Sequence, residues 1–294
     1  MSGPVETALS RPALLSVLSS LMTGRKGVVI GVTVAVLFAV AALSALAPLL
    51  APYDPLALNM TARLRPSSAE HLMGTDAYGR DIFSRVLYGG RISLVIGVGA
   101  TLLAVGTGLV IGLVSGFFRA ADAVIMRIMD GLMAMPAVLL AVAIVALAGA
   151  SVGTVLVAIT IPEIPRVARI VRAVILSTRS APFVEAARIS GTRIGKLMWR
   201  HLIPSTVAPL LVQGSYVFAS AILTEAVLSF LGVGISPDIP TWGNIMSEGR
   251  MFFSLRPGMI FWPALILSLV ILAANMLGDV LRDHFDPRSK TGRA

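Results

Sequence analysis

The chain has no cysteine in 294 residues, which excludes a disulfide framework and any cysteine-based metal site. Charge is scarce too: 13% of the residues are charged, against roughly 25% in soluble domains. With 56% hydrophobic residues and a mean hydropathy of +0.88, that shortage points to an integral membrane protein. The three histidines, His71, His201 and His284, stand far apart, which argues against the clustered site of a membrane-embedded enzyme. Acids are outnumbered, 15 to 24, for a net charge of +9. No soluble basic domain carries that excess, so nucleic acid is not the expected partner; membrane proteins keep Lys and Arg on the cytoplasmic side. The first 27 residues lack the short apolar core and small-residue cleavage site of a secretory signal, and they read as a cytoplasmic tail before a retained helix.

What the sequence has instead is long uncharged runs, at 27–53, 92–118, 131–162, 202–224 and 257–278. Each can cross about 30 Å of hydrocarbon as a helix. The third run, 32 residues or roughly 48 Å as a helix, is long for one crossing and short for two. The turn sequence GASVG at 149–153 divides it. Two helices fit if one starts near Ala123, with Arg127 and Asp130 inside it. The other then ends near Val171 and contains Glu163, Arg166 and Arg169. Counting Lys and Arg decides the number: six crossings with the N-terminus inside place seventeen on the cytoplasmic side and seven outside, and five crossings reverse the count. The expectation is an all-α membrane protein of six transmembrane helices with both termini cytoplasmic. Its parts are a tail over 1–27, a first helix over 28–50, an extracytoplasmic segment over 51–91, a five-helix core over 92–280 with a cytoplasmic loop at about 172–206, and a tail over 281–294.

That loop contains VEAARISGTRIGKLMWRHLIP, residues 184–204. Pro182 opens a helix in its first turn, where the missing N–H costs nothing. Phe183, Ala186, Ala187 and Ser190 make a small, flat face. Gly191 falls where a helix C-terminus places glycine. Ile194, Leu197 and Met198 then recur at helical spacing, and Pro204 closes the second piece. Arg188, Arg193, Lys196 and Arg200 offer positive charge to an acidic partner surface, or to anionic lipid headgroups if the hairpin lies on the membrane. GTRIGK at 191–196 is not a phosphate-binding P-loop: three residues separate its glycines instead of four, and Leu197 follows Lys196.

Other polar residues invite sharper readings. His71, Asp76 and Asp81 suggest a metal site, but Asp76 with Arg80 and Asp81 with Arg85 have the spacing of helical ion pairs, and Gly74-Thr75-Asp76 is turn and cap chemistry. Arg127 and Asp130, three apart, are expected to pair. Arg166, Arg169 and Arg172 sit where snorkelling is cheap. Asp130, Glu163 and Glu225 are acids in or near the spans and so functional candidates; for Glu225 an ion pair or a hydrogen bond to a neighbouring helix is the expectation. Gly97, Gly99, Gly106, Gly108, Gly112 and Gly116 favour close helix packing, and Pro136, Pro162 and Pro165 favour kinked or interrupted spans.

Glu185-Ala186-Ala187, three residues, Gly191, and later Ile203-Pro204 resemble the EAA loop of ABC importer permeases. That pattern reads EAA, three residues, G, nine residues, I, one residue, LP. His201 at the first Ile position is similar to the peptide and nickel importer branch. GTDAYGRDIFSRVLYGGRISL at 74–94 resembles the GTD-x-x-GRD-x-x-SR segment of the second permease of dipeptide and oligopeptide importers. TEAVLSFLGVGISPDIPTWGNIM at 224–246 resembles the EA-x-LSFLG-x-G…P…WG-x-M segment of that subfamily, with Asp238 in place of a second Pro. NMLGDVLRDHFDPR at 275–288 also fits, so the resemblance covers nearly everything from Val28 to Arg288.

The resemblance implies the type I ABC importer permease fold in a bacterial inner membrane. It implies no catalytic residue and no cofactor on this chain, with ATP and Mg on partner subunits. Glu185, Ala186, Ala187, Arg188, Gly191, Ile203 and Pro204 would couple to the ATPase. Gly74, Thr75, Asp76, Gly79, Arg80, Asp81 and Arg85 would build an extracytoplasmic elbow at the substrate entrance. The implied partners are a homologous first permease, two ATPase subunits and an extracytoplasmic binding protein. The implied activity is alternating-access import of dipeptides or oligopeptides, with nickel chelates or glutathione as alternatives. Nickel wants ligands or a chelator, yet no span has a histidine and the chain has no cysteine. A secondary transporter or channel fits less well, since inverted repeats are not evident.

Overall fold

The structure, a computed structural model, describes residues 24–285; most of the two expected tails, with Arg11, Arg25 and Arg288 among their charges, falls outside this range or outside what is described of its side chains. Among the described residues helices are the only extended regular elements, with one isolated bridge between Thr75 and Asp81. Helix α1 (Gly24–Ala45) leads through the single turn α2 (Ala47–Leu50) into an irregular elbow, from which α3 (Ile82–Phe117) emerges. Then come α4 (Arg119–Ala134), α5 (Ala137–Ala148), α6 (Val152–Thr178), α7 (Pro182–Ile189) and α8 (Ile194–Leu197). A π turn (Met198–Leu202), α9 (Ile203–Phe230), α10 (Trp242–Gly249) and α11 (Gly258–Phe285) complete the chain.

Four helices are long and apolar enough to cross a membrane, α1, α3, α11 and the run through α8 and α9, and the bent pair α4–α5 adds a fifth candidate. Helix α6 has the length, 27 residues, but carries Glu163, Arg166, Arg169 and Arg172.

Glycine sets the arrangement. A Cβ added at Gly108, Gly112 or Gly116 of α3 would lie 2.5, 2.5 or 2.7 Å from the Cβ of Val167, Val171 or Ile175 on α6. The two backbones therefore touch along a seam in which only hydrogen fits. Residue numbers rise together along that seam, so α3 and α6 are parallel. Helix α9 runs the other way: Gly97 faces Phe218 and Ile222, while Gly214 faces Thr101 and Val105. Gly278 of α11 abuts Ser215 and Tyr216, and farther along Leu267 and Val270 join Ile222 and Ala226 in one core, so α9 and α11 are antiparallel. Of the other glycines expected to pack, a Cβ added at Gly99 would lie 3.1 Å from a Leu156 methyl, and Gly106 faces open space.

Several expectations are corrected. Helix α3 starts at Ile82, ten residues before the uncharged run, because Arg85 is neutralised there (below). The single helix expected from Ala123 to GASVG is two helices bent by 90°. The break falls at Met135-Pro136, and Pro136, which brings no N–H, stands as the N-cap of α5. By contrast Pro162 and Pro165 lie within α6 without ending it. The GASVG turn forms as expected: Gly149 has φ +86° and the Ser151 side chain caps α6.

Candidate functional site

The motifs quoted above fold into two polar sites at opposite ends of the bundle. The first is the elbow. Asp81 is the N-cap of α3, accepting from the Ser84 N–H at 2.8 Å. Its other oxygen lies 2.9 Å from His71 Nδ1, and the Tyr53 ring packs on that imidazole. Asp81 therefore does not pair with Arg85, as helical spacing had suggested. Instead Arg85, with no exposed surface, gives Nη1 to Asp76 at 2.6 Å and to Glu248 at 2.5 Å, and Nη2 to Glu248 at 3.0 Å. Arg80 bridges the same two acids, through Nε to Asp76 at 2.6 Å and Nη2 to Glu248 at 2.5 Å. The Asp76–Arg80 pair is thus real, but it closes a loop instead of lining a helix. Asp76 also accepts the backbone N–H groups of Tyr78 and Arg80. Two acids and two arginines make an electrically balanced knot, the arrangement that lets charges be buried.

Left-handed turns shape the loop: Gly74 has φ +79° and Gly79 φ +75°. A Cβ on Gly79 would sit 1.7 Å from the Asn59 carbonyl oxygen, and one on Gly74 2.7 Å from that of Arg65. Thr75 is fully buried; its hydroxyl donates to the Ala62 carbonyl and accepts from the Arg65 N–H at 2.8 Å.

Glu248 was not singled out in the sequence, although it lies two residues beyond a quoted motif. It belongs to α10, which brings the two quoted segments together. Trp242, fully buried, donates Nε1–H to the Val86 carbonyl at 3.1 Å. Thr241 caps α10, and Asn244 Nδ2 lies 3.0 to 3.2 Å from three carbonyls of the preceding turn. Gly232, at φ +80°, ends α9: its N–H donates to the Ser229 carbonyl at 3.0 Å and the Val233 N–H to that of Leu228 at 3.1 Å.

The second site is the loop at the other end. Helix α7 closes with a Schellman motif: Thr192 N–H donates to the Ala187 carbonyl and Gly191 N–H to that of Arg188, at 3.1 and 3.0 Å, with Gly191 at φ +75°. Val184, Leu197 and Leu202 are buried against Val167, Val171 and Ile175 of α6. These anchors leave Glu185, Ala186, Arg188 and Gly191 exposed and Ala187 half-buried. Ile189 is 83% and Trp199 75% exposed. Neither was picked out in the sequence, where α8 was read for its buried side. Pro204 does not close a second short helix. It occupies the first turn of α9, and the Ile203 N–H reaches back five residues to Met198. The π turn absorbs the break that proline would otherwise make, so the helix is continuous from Ile194 to Phe230.

Between the ends lie the intramembrane acids. Glu225, fully buried, accepts from Ser93 of α3 at 3.0 Å and from Ser229 at 2.9 Å. Glu163 accepts from Ser220 of α9 at 2.8 Å and from Arg166 Nη1 at 3.3 and 3.4 Å. Asp130 pairs with Arg169 of α6, not with Arg127, and Asp122 pairs with Arg172 at 2.5 and 2.6 Å. Each candidate thus has partners, and among the described residues no group of three His, Asp or Glu is arranged to hold a metal.

A helical bundle with several apolar crossings, a stapled elbow and a propped-out helical loop is a multi-pass membrane protein. Residues 108–291 match the family described as "Binding-protein-dependent transport system inner membrane component", and the chain belongs to that family. A probable peptide ABC transporter permease protein of Sinorhizobium fredii is 49% identical over 251 residues, 85% of this chain and 86% of that protein. The dipeptide transport system permease protein DppC of Alkalihalophilus pseudofirmus is 41% identical over 246 residues, 83% and 81% of the two chains. The glutathione transport system permease protein GsiD of Pectobacterium atrosepticum is 42% identical over 227 residues, 77% and 75% of the two chains.

Proposed function

We propose that this chain is one of two permease subunits of an ATP-driven, binding-protein-dependent peptide importer of the bacterial inner membrane. The observation that carries the reading is near-full-length similarity to relatives named as peptide permeases. The chain spans the membrane six times with both ends in the cytoplasm. Support comes from the parallel run of α3 and α6: the chain between them must return, so the broken pair α4–α5 makes one crossing. Helices α1, α3, α4–α5, α6, α9 and α11 then make six, and the excess of Lys and Arg falls on the cytoplasmic side.

In that orientation the loop over α7 and α8 is cytoplasmic. Its exposed Glu185, Ala186, Arg188, Ile189 and Trp199 form the surface that docks one of two ATPase subunits, which bind the ATP and Mg. The chain itself performs no catalysis and binds no cofactor. A second, homologous permease supplies the other half of the path and the other loop. The elbow faces outward beside the entrance, where a substrate-binding protein delivers its cargo. ATP-driven closure of the ATPase pair draws the two loops together and opens the path outward; release reverses it. The glutathione permease relative supports a second reading in which the cargo is glutathione. Deletion of the gene tests both: peptide uptake is expected to fall, with resistance to toxic peptide analogues. Unchanged peptide uptake with loss of glutathione uptake overturns the peptide reading.

A further inference from the structure

The break between α4 and α5 lies at an unusual depth. Helices α5 and α6 flank the turn at 149–151 and pack through Ala141 and Val145 against Val155, Ala158 and Ile159. Eleven residues from the turn on each helix, 148 back to 137 and 152 on to 163, bring Ala137 level with Glu163. Glu163 is two residues from the midpoint of α6, whose length of 27 residues is about 40 Å. The α3–α6 seam, with Gly108 against Val167, sets the same level on α3 near Ala104, the middle of its uncharged run. The chain is therefore interrupted near mid-membrane. There α4 ends in carbonyls that have no helical partner, and Pro136 offers no N–H.

The surroundings are polar and uncovered. Met133 and Met135 are 39% and 46% exposed, and Pro136 is exposed as well. The Arg166 side chain is 53% exposed; in the Arg169–Asp130 pair the two side chains are 45% and 58% exposed. Among the described residues Arg166 uses only Nη1, in long contacts of 3.3 and 3.4 Å to Glu163, so Nε and Nη2 make no hydrogen bond. Lipid cannot lie against this surface. An interrupted backbone at that depth survives only inside protein or beside water, and an aspartate, unlike an arginine, is too short to snorkel to a headgroup. A closely packed partner helix fits poorly too, since such contacts are built from small residues and would strand the unused donors of Arg166.

We propose that the α4–α5 break, with Arg166 and the Asp130–Arg169 pair, lines the water-filled translocation path at mid-membrane. Arg166 is the transient partner of the carboxylate of a passing peptide. The assignment of a peptide rests on the proposed function; the assignment of the path does not. A wall carrying both signs of charge suits a zwitterionic cargo, and one weakly tethered guanidinium gives a contact that is easily broken.

This chain has no cysteine, so a label found on it reports the introduced residue alone. In vesicles holding the complete transporter, single cysteines are placed at Met133, Met135 and, as a lipid-side control, Phe38, which is 73% exposed on α1. Labelling is read with a charged thiosulfonate and with an apolar maleimide. The charged reagent is expected to label Met133→Cys and Met135→Cys but not Phe38→Cys, and transported peptide with its binding protein is expected to slow it. Labelling by the apolar reagent alone, or by neither, means a lipid or a protein contact and overturns the path. Charged labelling slowed by glutathione but not by peptide supports the path and overturns the peptide reading. Arg166→Gln is expected to raise the KM for peptide uptake about tenfold with little change in maximal rate, since one charge-assisted contact is lost, and Arg166→Lys to restore part of it. An unchanged KM in Arg166→Gln overturns the role given to Arg166.

Discussion

The elbow and the loop at the far end use the same vocabulary to opposite ends. Both contain left-handed glycines, arginines and a tryptophan. In the elbow, Arg80 and Arg85 are buried against Asp76 and Glu248, and Trp242 is fully buried. In the loop, Arg188, Arg193 and Lys196 are exposed and make no ion pair among the described residues, while Trp199 is 75% exposed. A Cβ on Gly79 strikes a backbone oxygen, whereas one on Gly191 meets nothing within 4 Å. The elbow spends its polar groups on its own fold. The loop leaves these groups uncovered, which suits the docking role proposed for it.

Substitutions at matched positions break or sharpen that contrast. The largest effect is expected from Asp76→Ala, which leaves the fully buried Arg85 one acid short. A cost of about 3–5 kcal/mol should appear as lost membrane-inserted protein and a lower melting temperature in detergent. Trp242→Ala should cost about 3–5 kcal/mol by the same measurement, against less than about 0.5 kcal/mol for Trp199→Ala, which instead weakens copurification of the ATPase. Gly79→Ala combines a clash with a strained φ and should cost about 3 kcal/mol, whereas Gly191→Ala carries only the strain, about 1 kcal/mol. A modest change in stability with a large change in function is expected of Gly191→Trp, which carries the same backbone strain as Gly191→Ala. Amounts in the membrane should stay near those of the parent while uptake driven by ATP collapses. Full uptake by that variant would remove the loop from its assigned role, and tolerance of Gly79→Ala would erase the distinction between the two sites.

Local chemistry was legible where neighbours in sequence are neighbours in space. The helix stop at Gly191, the turn at 149–153 and the closeness of Gly108, Gly112 and Gly116 to another helix all follow from short-range rules. What could not be read required knowing which segment lies opposite. Arg85 was matched to Asp81 by spacing, but a carboxylate already committed to capping α3 and to His71 is unavailable, and the better acids are Asp76 and Glu248. Asp130 likewise prefers an arginine on α6 to one on its own helix. An interruption at Pro136 was legible from the proline itself, but its 90° bend was not, because the uncharged run continues through it: hydropathy records what solvent a segment tolerates, not the direction in which it points.

The π turn of residues 198–202 has a mechanical consequence. The helix from Ile194 to Phe230 is a single shaft of 37 residues, about 55 Å long. Trp199 lies near one end, and Glu225 grips Ser93 near the other. A hinged chain can only push or pull; a shaft also carries torque. Pro209 leaves one rung of its ladder unmade, but the helix does not break there, so a rotation imposed at the loop would be passed on toward the distant end. One extra residue in the turn offsets the two ends by about 100°, so the wide turn fixes which distant face answers to which side of the loop, as a keyway fixes a cam on its axle.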